Sequence, residues 1–174
     1  MIINEKRPVA HTFRIETNLY EQLEAESRKK NISINTLLNQ IAREHIIKAN
    51  FDKIDSVIMP KDVLREMFEL IDENDVIQLA KKIGTHNVVE YVRLVYGDIN
   101  KYTILQFLEM WSSRFSEYEH KNHGSVHWFS VQHDVNEKYS IFLAELIKSL
   151  IDGTIKEPIN VQTSQRTMMF QLAL

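Results

Sequence analysis

Apolar residues recur along the chain with two different periods, and the points where the period changes predict its elements. Residues 12–16 alternate, with Phe13 and Ile15 apolar between Thr12, Arg14 and Glu16, which predicts a short strand. Asn18 follows as a candidate helix N-cap with Glu21 at the third helical position, and Leu19 and Leu23 then recur one turn apart. That helix is expected to stop at Asn31, a residue type that tolerates a left-handed backbone. Ser33 or Asn35 caps a second helix, whose Leu37, Leu38, Ile41, Ala42, His45 and Ile46 make a broad apolar face.

The helical pattern TLLNQIAREHIIK runs out into ANFDKIDSVIMP, and Pro60 opens a new helical run as a first-turn proline can. The chain therefore divides into a module at 1–48, a linker at 49–59 and a second module at 60–174. In the second module, helices are expected at 61–71, 74–83 and 101–113, while 87–96 fits helix or strand. Strands at 115–122 and 125–133 flank a turn around Asn122–Ser125 that contains Gly124. A helix at 136–151 places Ile141, Leu143, Leu146, Ile147 and Leu150 near one stripe. Strands at 158–163 and 166–172 follow, with Ile159 and Val161, then Met168, Phe170 and Leu172, each set pointing one way. The order α-β-β-α-β-β implies a small antiparallel sheet backed by helices, so the fold class is α+β.

Composition narrows the class. Of 174 residues, 44% are hydrophobic and 26% charged, which excludes fibrous, mucin-like and wholly disordered chains. No apolar run suffices to span a bilayer, and the opening MIINEKRPVA lacks the apolar core of a signal peptide, so a cytoplasmic protein without membrane partners is expected. The absence of cysteine excludes disulfides, thiolate metal sites and cysteine nucleophiles. The net charge of −3 is unevenly spread. The first 50 residues hold eight Lys/Arg against six Asp/Glu, the remainder 13 against 18.

A module of this size with one short strand cannot satisfy that strand's backbone or bury both helices alone, so it needs a partner. The run from Thr12 to Ile46 resembles the ribbon-helix-helix (Arc/MetJ-type) family of DNA-binding proteins, with asparagine at position 31 where the family usually has glycine. The resemblance implies a β-α-α module in which two chains pair their strands into a ribbon. On that pattern Phe13, Ile15, Leu19, Leu23, Leu37, Leu38 and Ile41 form the dimer core. Thr12 and Arg14, with Ala10 as the next outward position, face the major groove, where an arginine can donate two hydrogen bonds to guanine. Ser33, Ile34 and Asn35 present backbone amides to a phosphate, and Lys6 and Arg7 form an arm that adds phosphate contacts. The Arg28-Lys29-Lys30 run also complements the end of its own helix. The competing reading keeps the module for dimerisation only, with Arg14 a solvated edge residue.

The second module holds His120, His123, His127 and His133 close in sequence. Imidazoles suit a divalent transition metal, and a nickel-sensing regulator with this kind of amino-terminal module is a known plan, although it also uses a cysteine absent here. In the expected register His120 and His123 fall on opposite faces while His127 and His133 share one, so His127, His133 and His120 are the candidate metal ligands; hydrogen-bonded hairpin histidines are the alternative. A small apolar ligand is the second candidate, in a pocket lined by Phe107, Met110, Trp111, Trp128, Phe129, Tyr139, Phe142, Met168, Met169 and Phe170, which also read as core. The stretch GSVHWFSVQHDVNEKYSIFLAELIKSL with its two following strands is similar to the α/β part of haem nitric-oxide-binding and vinyl-reductase-type ligand domains. No residue in it is assigned as a haem ligand.

No nucleophile elbow, P-loop, dinucleotide fingerprint or H-E-x-x-H pair is present, so no enzyme is expected. The expected protein is a homodimeric or tetrameric transcriptional regulator that binds double-stranded DNA, with a carboxy-terminal ligand-sensing or oligomerisation domain. An antitoxin-like interaction module is the runner-up.

Overall fold

A computed structural model describes residues 9–52 and 59–174, and the chain divides into two units, Met1–Lys48 and Ala49–Leu174. Lys6 and Arg7 lie outside the described residues.

In the first unit, residues 9–16 lead without strand pairing into helix α1 (Thr17–Lys29) and helix α2 (Ile34–Asp52). Glu16, extended at φ −61° and ψ 140°, precedes α1. The expected cap is corrected: Asn18 lies inside the first turn, where its side chain accepts a hydrogen bond from Gln22 Nε2 at 2.7 Å. The end of α1 follows the sequence more closely. Asn31 adopts φ +54°, its N–H donates to Arg28 O at 3.1 Å, and Ile32 N–H donates to Ser27 O at 3.0 Å. These two bonds are the Schellman pair that satisfies the last carbonyls of a helix. Ser33 rather than Asn35 caps α2, accepting from Thr36 N–H at 3.1 Å. The helix runs on to Asp52, past the point where the apolar pattern fades.

The second unit opens with α3 (Lys61–Leu70), α4 (Glu73–Lys82), one π-turn (Ile83–Asn87) and α5 (Val88–Tyr96), which settles the ambiguous 87–96 stretch as helix. Next come α6 (Lys101–Ser112), the hairpin β1 (Glu117–His123) and β2 (Val126–Gln132), α7 (Glu137–Gly153), then β3 (Ile159–Thr163) and β4 (Thr167–Ala173). The four strands form one antiparallel sheet in the order β1-β2-β4-β3. The β1–β2 turn is two residues, Gly124 and Ser125, with Gly124 at φ +70° and Ser125 not left-handed. That is the II′ pattern, whose twist matches the strands it joins.

The sheet's inner face carries His127, Phe129 and Val131 from β2 beside Met168, Phe170 and Leu172 from β4, all buried. Against them α7 buries Leu143, Leu146, Ile147, Leu150 and Ile151. Two helices of this unit start at asparagines whose side chains cap them: Asn100 forms a capping box with Thr103, and Asn136 accepts from Tyr139 N–H at 3.0 Å. The π-turn sits where α7 passes closest. A Cβ at Gly84 would stand 2.5 Å from Leu146 O and 2.9 Å from Ser149 Cβ, so only glycine fits.

Gly84→Ala is therefore expected to destabilise the second unit by roughly 1–3 kcal/mol, as forced overpacking does. Gly153→Ala, with nothing nearer than 3.9 Å, is expected to stay within about 0.5 kcal/mol of the parent. Urea midpoints of the two variants check the contrast.

Candidate functional site

In the first unit, the sequence-predicted dimer core separates into two groups. Leu37 is buried, and Ile15, Leu23 and Leu38 are half-buried. Phe13, Leu19 and Ile41 stay 57%, 50% and 39% exposed, as does Ile46 of the same α2 face at 61%. Between the 9–13 segment and α2 lies a groove of about 920 Å³, walled by Val9, Ala10, His11 and Phe13 on one side and by Asn35, Leu38, Asn39, Ile41, Ala42 and His45 on the other. Its lining is largely apolar, so water in it gains little from the walls.

Of the residues assigned to DNA, those at the base-contacting positions lie at the surface. Ala10, Thr12 and Arg14 are exposed, and the Arg14 guanidinium has no protein partner among the described residues. Ala10 also lines the groove with Phe13, and residues 9–16 form no strand. At the start of α2, the Ser33 hydroxyl is committed to Thr36, by its N–H and by its Oγ1 at 2.8 Å. The amides of Ile34 and Asn35, which no preceding turn can reach, are the ones left at that end. Arg28 and Lys30 pair with Glu24 and Glu26 along α1 at 3.2 and 2.7 Å, which favours the local role for that basic run.

The metal assignment in the second unit is corrected. His127 and His133 share the inner face of the sheet as expected, but they stand six residues apart along one extended strand, about 20 Å. His133 is fully committed: Val135 N–H donates to its Nδ1 at 3.1 Å, its Nε2–H donates to Ser140 Oγ at 2.7 Å, and Ser140 Oγ donates to Ser164 O at 2.6 Å. A nitrogen accepting a backbone N–H is not a metal ligand, and burial holds His133 neutral, with its pKa pushed down to about 4. His123 faces the other side of the sheet and is exposed. Among the described residues no group of three His, Asp or Glu is arranged to hold a metal ion.

His120 and His127 do come together, with a partner that sequence spacing could not reveal. His120 Nδ1 lies 3.0 Å from Glu109 Oε1 of α6, and its Nε2 lies 2.9 Å from His127 Nδ1. The His120 ring also stacks on Phe129 with centroids 4.1 Å apart. His127 has its pKa lowered, first by burial and then by His120, against a smaller opposing effect of Glu109.

The apolar-pocket expectation is corrected as well. Phe107, Met110, Phe129, Met168 and Phe170 are buried in the core, with Phe129 and Phe170 stacked at 4.8 Å, while Trp128 and Met169 lie on the opposite face of the sheet. That face holds a shallow depression of about 50 Å³, too small for more than a water or two.

A polar clasp that the sequence did not reveal joins α3 to the end of β2. Arg65 donates to Asp134 O at 2.8 Å and to Val135 O at 3.0 Å, and Lys61 reaches the Asp134 carboxylate at 3.2 Å. Lys138 caps the end of α3 through Glu69 O and Ile71 O. Asp134 takes φ +58° to present its carbonyl, and hydrogen bonds from Gln132 and Lys61 hold its carboxyl below the usual range.

His133 gives a pH prediction. The unfolded chain binds a proton at this histidine below the ordinary histidine value of 6.5, whereas the folded protein does not until about 4. Its contribution is thus present above pH 6.5 and is lost as pH falls from 6.5 towards 4, by about 3 kcal/mol at most. Urea unfolding at about pH 7.5, 5.5 and 4.5 checks this; in His133→Asn that part of the pH dependence is expected to vanish. The chain matches no family model and no curated protein at a significant level.

Proposed function

We propose that the protein is a sequence-specific DNA-binding transcriptional regulator, homodimeric through a β-ribbon formed by residues 12–16 of two copies, with the second unit as its sensing or oligomerisation domain. The observation that carries this reading is the unpartnered apolar face of the first unit. Phe13 and Ile41 remain open in the wall of a large groove, Leu19 and Ile46 are exposed as well, and Leu37 and the Asn31 cap hold the helices in a fixed relation. A second copy supplies a strand for the 12–16 backbone and side chains for the groove together. Pairing then turns Thr12 and Arg14 outward on one surface, since alternate residues of a strand face opposite ways. A two-stranded ribbon fits the major groove, and the exposed Arg14 guanidinium suits guanine O6 and N7. The amides at the start of α2 suit a flanking phosphate.

The second unit has a filled core and capped helices, so it fits a folded appendage better than a segment that folds only on a toxin. Its composition, with more acidic than basic residues, leaves DNA contact to the first unit.

Fluorescence anisotropy against the gene's own upstream DNA and a shuffled control, at two salt concentrations, tests the reading. Arg14→Ala is expected to cost roughly 1–3 kcal/mol of specific binding and to relax sequence preference, with the fold intact. Ile15→Asp is expected to abolish dimerisation in sedimentation and DNA binding with it. Unchanged binding by Arg14→Ala, together with an Ile15→Asp protein that remains a dimer, would overturn the assignment of faces.

A further inference from the structure

The first helix of the second unit has two sides that differ in what they touch. With 3.6 residues per turn, Lys61, Arg65, Phe68 and Glu69 lie on one side of α3, while Val63, Met67 and Leu70 fall within an arc of about 60° on the other. The first set is fixed to the body of the unit. Phe68 is buried in T-shaped contact with Tyr139 at 5.1 Å and Phe142 at 5.3 Å, Arg65 donates to Asp134 O and Val135 O, and Glu69 Oε1 accepts from Asn136 Nδ2 at 2.8 Å. These contacts settle the rotation of α3, so the second set faces outward: Val63 and Met67 are 45% exposed and Leu70 89%.

On the other elements of this unit, the large exposed apolar side chains among the described residues come singly: Leu79 on α4, Leu94 on α5, Tyr102 on α6 and Tyr118 on β1. Single ones are ordinary, whereas three on one face of one helix form a stripe. Its size and charge narrow what covers it. The stripe runs along about 10 Å of helix, far short of the roughly 800 Å² per partner that a free-standing interface buries. A partner arriving alone is therefore held too weakly, and the exposed Asp62 and Glu66 beside the stripe disfavour an anionic membrane surface. A partner already tethered needs much less. Asp52 closes α2 and Met59 lies seven residues on, a span of at most roughly 25 Å. Two chains joined through their first units thus carry their second units on short links, at an effective concentration of the order of millimolar.

We propose that the Val63, Met67 and Leu70 stripes of two copies pack against each other as a second contact of the homodimer, one that forms because the first units hold the copies together. The proposal rests on the dimer proposed for the first unit. Methionine suits such a contact, since its unbranched side chain adapts to the face it meets. The acidic pair Asp62 and Glu66 keeps the stripe of an untethered copy solvated. Because Arg65 and Glu69 key α3 to Asp134, Val135 and Asn136, between β2 and α7, a change in the sheet would reach the dimer through this helix.

The chain has no cysteine, so single-cysteine variants of the full-length protein test the contact. A short bismaleimide is expected to join Val63→Cys and Met67→Cys chains roughly tenfold faster than Leu79→Cys and Leu94→Cys, which stand at exposed sites on α4 and α5, and at a rate that dilution leaves unchanged. Adding Ile15→Asp to Val63→Cys is expected to bring the rate down to that of the controls. Adding Met67→Glu is expected to do the same with the fold intact, since the site is exposed. Val63→Cys and Met67→Cys chains that react no faster than the controls overturn the α3 contact; if the parent still sediments as a dimer that Ile15→Asp dissociates, the first-unit reading stands. Fast joining that persists with Ile15→Asp overturns the first-unit reading and the tether with it. Fast joining that Met67→Glu leaves unchanged reflects proximity without packing and also overturns the proposal.

Discussion

The second unit depends on how closely α7 can approach its neighbours. This helix is buried along most of its length, with Leu146, Ile147, Leu150 and Ile151 against the sheet and helices and even Ser140 and Ser149 withdrawn from water. A helix buried over most of its surface needs partners around most of it, and one of them comes nearer than side chains normally permit. Gly84 supplies that approach, with its backbone against Leu146. The π-turn at Ile83–Asn87 follows from the same constraint: the wider turn lets α4 and α5 continue one path while glycine faces the crossing. The sheet is then positioned by α7 from within and by the Arg65 and Lys61 clasp on the residues that follow β2.

The first unit follows a different rule. Its local structure is complete in one copy, as the Asn31 and Ser33 caps demonstrate, but its apolar surface is not covered. Local hydrogen bonds fix the corner between α1 and α2 without help. Burial of Phe13 and Ile41, and of the 12–16 backbone, requires groups that a single copy of the unit does not hold. This division between a self-sufficient corner and an open face is why the homodimer is the reading we favour.

What was legible in the sequence was what short-range physics determines. The change of period at residue 115, the glycine in the hairpin and the stripe on α7 each depend on neighbours a few positions away, and the observed elements fall within a few residues of those signals. The misplaced cap has the same origin. Asn18 and Glu16 lie two residues apart at the same helix end, and with the start at Glu16 the Asn18 side chain is left to accept from Gln22, a contact worth a few tenths of a kcal/mol. The 87–96 stretch was ambiguous because Val88, Val89 and Val92 favour strands by themselves, and only packing against the helices settles them as α5.

The histidines show where sequence spacing stops being informative. Four histidines within fourteen positions invite a single site, yet an extended strand moves about 3.3 Å per residue and turns alternate residues to opposite faces. Distance removes His133 from the group, and alternation removes His123. The hairpin brings His120 and His127 back together, because register pairs His120 with Phe129 and leaves His127 diagonal to it. What completes that pair is Glu109, eleven positions away on a helix, and what completes His133 is Ser140 on another. Both partners were invisible to spacing because the sheet-and-helix packing, not the local chain, chose them. The two outcomes differ in kind: His133 is locked neutral by a backbone N–H and a serine, whereas His120 and His127 meet each other at 2.9 Å beside Glu109. A buried histidine with every position satisfied contributes to stability, and that contribution lasts only while the ring stays neutral.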